Sequence, residues 1–207
     1  MKKKLSCALA AGLTIFFFAA CDSNTYADYA SMEKSQLQGS LLMPHSLEQL
    51  EQHSDCIVQG VLQNDAETCV TADPRFEWVM PSSGATKSTL TVTTILKGDG
   101  LLSIGDAISL YEPYYVYEVE GEPRLLYYSY YCPSEPGKTY LFFLNQNDAG
   151  GYAPSGFENS RFPLPDAQAR SAASIDALTA EDLYLAEGVD LESYKALYRE
   201  VLEAYAE

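Results

Sequence analysis

Residues 88–97 alternate between two sets of side chains, and this pattern constrains the fold more than any other feature of the chain. One set consists of Leu90, Val92, Thr94 and Leu96. The positions between them hold threonines and Ile95. A period of two with β-branched side chains is typical of a β-strand. The glycines at positions 98 and 100 then predict a turn that folds the chain back.

Further β-rich segments and a helical segment surround this strand. The predicted strands are residues 56–62, 107–111, 114–119, 124–131 and 139–144. Residues 120–123 predict the tip of a hairpin. Leucine, tyrosine and valine recur every three or four residues from 191 to 205, which predicts an amphipathic helix capped by Asp190. Strands followed by helices predict an α+β domain, and closing the strands into a barrel would remove exposed edges.

The N terminus has the features of a bacterial secretory signal. Lysines at positions 2–4 precede an uncharged run over residues 5–20, which is shorter than the roughly 20 residues of a membrane-spanning helix. Residues 18–21, Phe-Ala-Ala-Cys, resemble the lipobox of bacterial lipoproteins, in which the cysteine receives a diacylglyceryl group. We therefore predict a signal peptide at residues 1–20, a lipid anchor at Cys21 and a location outside the cytoplasm. An uncleaved membrane anchor is the alternative.

The rest of the chain divides into a linker and one domain. Residues 21–45 are mostly polar and show no sustained period, which predicts a flexible tether. Residues 46–207 predict a single globular domain that begins with a capping box at residues 46–49. We place the barrel at about residues 55–162 and the C-terminal helices at about residues 176–207.

The charge of the chain excludes one class of partner. Its 29 acidic residues outnumber its 13 basic residues, and the formal net charge is −16. Such a surface repels the phosphates of nucleic acids and of anionic lipids. We therefore predict no nucleic-acid partner, and attachment to the membrane through acyl chains alone.

Three cysteines remain after the signal peptide and the lipidated residue: Cys56, Cys69 and Cys132. Three pairings exist, and a Cys56–Cys69 disulfide would close the shortest loop; a chain without a disulfide is the alternative. A zinc site or a Cys/His nucleophile would need His53 beside these thiols. Because Cys56 begins an apolar strand, burial as a small hydrophobic residue accounts for it, and we predict no metal site.

Tyrosine is concentrated on both sides of the predicted hairpin tip. On strands, Tyr115 and Tyr117 would share one face, and so would Tyr128 and Tyr130. Exposed tyrosines on a rigid sheet would provide a surface for sugar rings or for a protein partner. In the alternative, the tyrosines of the C-terminal helix, Tyr194, Tyr198 and Tyr205, cover these rings and complete the core.

Four motifs follow in order: residues 55–61 (Asp-Cys-Ile-Val-Gln-Gly-Val), 91–98 (Thr-Val-Thr-Thr-Ile-Leu-Lys-Gly), 104–108 (Ile-Gly-Asp-Ala-Ile) and 137–144 (Gly-Lys-Thr-Tyr-Leu-Phe-Phe-Leu). This order resembles small uncharacterised bacterial lipoproteins and, more remotely, the OB-like barrel of tissue-inhibitor-of-metalloproteinase and netrin-type domains. The resemblance implies a small five- or six-stranded antiparallel OB-like barrel. The inhibitor family presents a free amino-terminal cysteine to its target's zinc. An acylated Cys21 cannot do so, and the inhibitory function is not implied.

The sequence contains no Gly-x-Ser-x-Gly, His-Glu-x-x-His, P-loop or dinucleotide-binding motif, and we predict no cofactor. Carboxylates such as Glu112, Glu118 and Glu120 would be needed for glycosidase chemistry. The predicted function is a lipid-anchored, non-catalytic binding or interaction module of the cell envelope, with a protein or glycan partner. The alternative is a cell-envelope hydrolase or a metal-dependent enzyme.

Overall fold

The computed structural model describes residues 26–38, 43–71, 81, 83–164 and 172–205. The helices are α1 Tyr26–Ser31, α2 Leu47–His53, α3 Ala172–Ala177 and α4 Leu191–Tyr205. The strands are β1 Glu33–Leu37, β2 Cys56–Leu62, β3 Glu67–Thr71, β4 Ser83–Lys97, β5 Ala107–Glu112, β6 Tyr114–Val119, β7 Glu122–Tyr128, β8 Thr139–Gln146, β9 Tyr152–Pro154 and β10 Arg161–Pro163. A 3₁₀ turn occupies Phe157–Ser160. Within these ranges, no helix has the length and apolarity that crossing a membrane requires. The predicted signal peptide and Cys21 lie outside the described residues.

Five strands close into a barrel in the order β2–β4–β5–β9–β8, and β8 pairs back onto β2. Every neighbouring pair is antiparallel except β5 and β9, which are parallel at Leu110 and Tyr152. The expected antiparallel barrel is therefore a mixed one. The reason is geometric, because strands that alternate in direction around a ring with an odd number of members must meet once in parallel. Gly151 permits this meeting, since a Cβ there would lie 2.6 Å from the Ser109 carbonyl oxygen.

The interior of the barrel is filled by alternate side chains of its strands. β2 contributes Val58 and Leu62, and β8 contributes Tyr140, Phe142 and Leu144. The predicted strand at residues 88–97 is confirmed, but it begins earlier, at Ser83, because β3 pairs with the first part of β4.

The C-terminal helix packs on the outside of the barrel. The opposite face of β8, with Leu141 and Phe143, joins Phe162 of β10 in a second apolar cluster. α4 covers this cluster with Tyr194, Leu197, Tyr198, Val201 and Leu202. The aromatic rings of Tyr194 and Tyr198 stack on Phe162 at centroid distances of 5.5 and 5.6 Å. The structure thus confirms a barrel with helices packed on it.

A second, three-stranded sheet has the order β1–β7–β6. β6 and β7 form the predicted hairpin, and its two turn residues, Glu120 and Gly121, have φ values of 56° and 83°. β1 adds to the other edge of β7 in parallel, with Glu33 opposite Arg124. The flexible tether predicted for residues 21–45 is therefore wrong for residues 26–37, which form α1 and β1.

Candidate functional site

The structure places the predicted tyrosine surface largely inside the protein. The exposed fractions of Tyr115 and Tyr117 are 0 % and 9 %, and both rings pack with Leu126. Tyr115 lies directly on Gly84, where a Cβ would approach the ring to 2.6 Å. Its hydroxyl donates a hydrogen bond to the Pro81 carbonyl oxygen at 3.0 Å. These two rings belong to the core, so the expectation that they face a ligand is wrong.

The other two tyrosines of that prediction, Tyr128 and Tyr130, are half-buried. The Tyr128 ring lies 6.3 Å from Tyr115 and 6.4 Å from Phe157. The alternative prediction, in which tyrosines of the C-terminal helix cover the hairpin tyrosines, is also wrong. Tyr194, Tyr198 and Tyr205 of α4 contact Phe143 of β8 and Phe162 of β10 instead of the hairpin tyrosines.

A groove of about 580 Å³ lies between α1, β1, β7 and residues 181–187. Tyr29, Tyr127 and Tyr184 are among its lining residues. The charged residues of the lining are Lys34, Glu181 and Glu187. Leu125, Cys132, Pro133, Leu185 and Ala186 complete most of the surface. Sequence reasoning missed this groove, because its walls come from four separate parts of the chain.

The walls formed by α1 and β1 are held in place by the hairpin sheet. β1 pairs with β7 so that Lys34 lies opposite Leu125. The Tyr29 ring of α1 meets Tyr114 edge-on at a centroid distance of 5.5 Å. Burial raises the pKa of Tyr127, and Cys132 and Glu187 raise it further, so a rim carboxylate lies within electrostatic reach of this ring.

The segment 181–187 forms the facing wall and is tied to the chain after β7. The Cys132 N–H donates to the Tyr184 carbonyl oxygen at 3.2 Å, and the Ala186 N–H donates to the Tyr130 carbonyl oxygen at 3.0 Å. The Tyr184 hydroxyl donates to a carboxylate oxygen of Glu135 at 2.5 Å. The wall is therefore a hydrogen-bonded part of the fold.

Arg161 joins two walls of the groove from below. It is fully buried, and its Nη1 and Nη2 donate to the carbonyl oxygens of Cys132 and Tyr184, each at 2.6 Å. The guanidinium carbon lies 4.0 Å from the centroid of the Tyr131 ring. Because Cys132 and Tyr184 both line the groove, this side chain, together with the Cys132 N–H bond to the Tyr184 carbonyl oxygen, ties the two walls together.

Glu112 is the acidic partner of Arg161 and is also fully buried. Its Oε1 lies 3.9 Å from Nη1 and accepts hydrogen bonds from the Tyr131 hydroxyl, at 2.7 Å, and from Ser134 Oγ. Burial raises the pKa of the carboxyl, and the charge of Arg161 opposes that rise. Glu118 and Glu120 are exposed, so the three carboxylates do not share one environment. Glu112 thus acts as a structural partner of Arg161.

The cysteines do not come together. Cys56, Cys69 and Cys132 are free thiols, so the predicted Cys56–Cys69 disulfide is not formed. Cys56 lies beside Gly98, beyond one end of the 15-residue β4, whereas Cys69 is opposite Ala85 near its other end. At about 3.3 Å per residue the two are tens of ångströms apart. A disulfide requires Cα atoms within about 7 Å. No group of three or more metal-binding side chains occurs in the part of the chain that the structure describes.

Alkylation tests this arrangement. In denaturant without reductant, we expect Cys56, Cys69 and Cys132 all to react, and prior reduction should not raise the count. In the native protein Cys56 should react more slowly than the half-buried Cys69, because burial, with the nearby Asp55 charge, raises the pKa of Cys56 to about 11. Mass spectrometry of digested samples measures the number of alkylated thiols and the relative rates at which Cys56 and Cys69 react. A count that rises after reduction would mean that two of these thiols are bridged.

Glu158 should make stability depend on pH. Burial raises its pKa above the ordinary 4.5, and hydrogen bonds from Ser129 and Tyr130 partly oppose this rise. The unfolded chain therefore ionises first, and this group's contribution to stability is full below pH 4.5 and is lost as the pH rises through the raised pKa. We expect Glu158→Gln to flatten the fall in urea midpoint above pH 4.5, whereas exposed Glu200→Gln should leave the slope unchanged. Equal slopes in wild type and Glu158→Gln would contradict this assignment.

No protein-family model, curated protein or solved structure matches this chain.

Proposed function

We propose that this chain is a lipid-anchored binding module of the bacterial cell envelope, held outside the cytoplasm through Cys21. The observation that carries the proposal is the groove, a concave surface with aromatic walls and a few charged groups on a hydrogen-bonded frame. Such concavities, about 300–1,000 Å³ in volume, are the usual sites for small ligands and for single side chains of a partner. The signal sequence and lipobox-like Cys21 support the location.

The position of the groove supports a role close to the membrane. α1 begins at Tyr26, only five residues after Cys21, and carries Tyr29 of the groove wall. An extended chain covers at most about 3.5 Å per residue, so an acylated Cys21 would hold α1 within roughly 18 Å of the lipid. The groove would then face molecules at the bilayer surface.

We further propose an OB-like class for the barrel. Its three-strand meander β2–β4–β5 and its closure through the parallel β5–β9 pair support this class. The groove lies on the hairpin sheet and the segment 181–187, away from the barrel strands. The proposed function therefore rests on the groove and not on the fold class.

Two variants of the full chain in cells test the proposal. Cys21→Ala should move the protein from the membrane fraction to a soluble fraction. A photoreactive phenylalanine derivative in place of Tyr127 should give one discrete adduct under light. The control is the same substitution at Ile104, which is 71 % exposed on a turn outside the groove lining, and it should give no such adduct. Unchanged fractionation, or the same adducts from both positions, would overturn the proposal.

A further inference from the structure

The outer edge of β1 is an unpaired sheet edge. Within the residues that the structure describes, β1 ends the three-stranded sheet and pairs with β7 alone. The Ser129 N–H donates to the Leu37 carbonyl oxygen at 2.9 Å, so the backbone groups of Leu37 are directed toward β7. Alternate residues of a strand direct their backbone groups to opposite edges. The N–H and C=O groups of Lys34 and Gln36 therefore point outward, and such an edge is a template for another strand.

The position of α1 indicates which strand fits this edge. Tyr29 of α1 packs with Tyr114 and Leu125 on one face of the hairpin sheet. α1 begins five residues after Cys21, so the proposed lipid anchor is connected to the chain at this face. A two-fold axis perpendicular to the sheet relates antiparallel neighbours, and a second copy added through its own β1 therefore presents its α1 on the same face. Both lipid anchors can then enter one membrane.

The residues of β1 favour one antiparallel register. A register that pairs Lys34 with Lys34 of the second copy places like charges directly opposite, which is unfavourable. A register centred on Gln36 pairs Lys34 with a residue beyond the end of β1. Pairing Lys34 with Gln36 of the second copy avoids both problems and uses the outward backbone groups of both residues. By symmetry, Ser35 then faces Ser35 of the second copy, and Glu33 faces Leu37 of the second copy.

We propose that β1 is a self-association surface through which two copies of this chain join edge to edge, as antiparallel strands centred on Ser35. This inference goes beyond the groove and rests on the proposed lipid anchor. The contact is short and therefore weak in solution, but confinement to one membrane raises the effective concentration of the copies, as linking two modules does. Lys34 and Leu125 line the groove, so the two grooves lie on the same face of the joined sheet.

Cysteine crosslinking of the full chain in native membranes tests the pairing. Antiparallel residues that face each other without hydrogen bonds have Cα atoms about 4.5 Å apart, which allows a disulfide. Ser35→Cys should therefore give a disulfide-linked dimer under mild oxidation, and its digest should contain a bridge between the two introduced thiols. The matched control on the same strand is Glu33→Cys, whose two positions would lie more than about 13 Å apart. A dimer fraction for Ser35→Cys no higher than for Glu33→Cys would overturn the inference.

Substitutions at Gln36 test the register through charge. Because Gln36 lies opposite Lys34 of the second copy, Gln36→Lys should lower the Ser35→Cys dimer fraction about two- to fivefold, whereas Gln36→Glu should not lower it. Both variants remove the amide that donates to the Ser129 carbonyl oxygen, so its loss alone does not separate them. Equal dimer fractions in the two variants would overturn the inference. If the wild type still fractionates with the membrane, the proposed function stands and only the pairing fails.

Discussion

Arg161→Met is expected to lower the free energy of unfolding by about 3–5 kcal/mol, as measured by urea denaturation. The substitution leaves Glu112 buried without its cation. It also removes the donor to the Cys132 carbonyl oxygen, and an unmet buried acceptor costs about 1–3 kcal/mol, whereas the Tyr184 carbonyl oxygen keeps its bond from the Cys132 N–H. Methionine keeps most of the apolar volume, so lost packing contributes little.

A double variant separates the ion pair from the rest of the network. Glu112→Gln combined with Arg161→Met should cost less than the sum of the two single changes, because the neutral amide does not need the cation. The matched control is Arg124→Met, which breaks a 3.2 Å ion pair between Arg124 and the largely exposed Glu33. We expect at most about 1 kcal/mol there. A similar loss for Arg161→Met and Arg124→Met would contradict a structural role for the buried pair.

Phe162→Ala is expected to lower the free energy of unfolding by about 3–5 kcal/mol, the range for removing a large aromatic side chain from a core. Phe162 is fully buried and stacks on Tyr194 and Tyr198 of α4. It also meets Phe143 of β8 edge-on at a centroid distance of 6.0 Å. The loss should be accompanied by faster amide exchange in α4, because Tyr194 and Tyr198 of the helix lose the ring on which they stack.

Ile104→Ala is the control for this second prediction. Ile104 is 71 % exposed on the turn before β5, and its removal should change the free energy of unfolding by no more than about 0.5 kcal/mol. A Phe162→Ala protein as stable as Ile104→Ala would mean that α4 does not complete the core of this domain.

Local patterns predicted the parts of the fold that depend on local chemistry. The alternation at residues 88–97 covers the last two thirds of β4, and residues 120–121 form the tip of the β6–β7 hairpin. The leucine, tyrosine and valine residues that recur every three or four positions after Asp190 lie in α4. In each case the residues that determine the element lie within it or directly beside it.

The elements that the sequence did not reveal depend on distant partners. β1 is a polar strand without alternation, and it forms because β7 offers a free edge roughly 90 residues further along the chain. β9 and β10 have three residues each, which is too short for a periodic signal.

The candidate site was misread for a related reason. A run rich in tyrosine places rings on both faces of a sheet, and distant parts of the chain bury both faces: Tyr114 packs with Tyr29, and Tyr115 packs on Gly84. Arg161 follows three polar residues, and arginine is usually exposed, so nothing marks it as the centre of a buried network. The apolar run at residues 183–186, Leu-Tyr-Leu-Ala, is a signal from which a packed wall could have been predicted.

The intact mass of the protein isolated from the membrane fraction tests the lipid-anchored module most directly. We predict a mass that begins at Cys21 and includes a diacylglyceryl group, with Cys56, Cys69 and Cys132 as free thiols. A mass that begins at Met1, or an unlipidated chain found in the medium, would contradict the account.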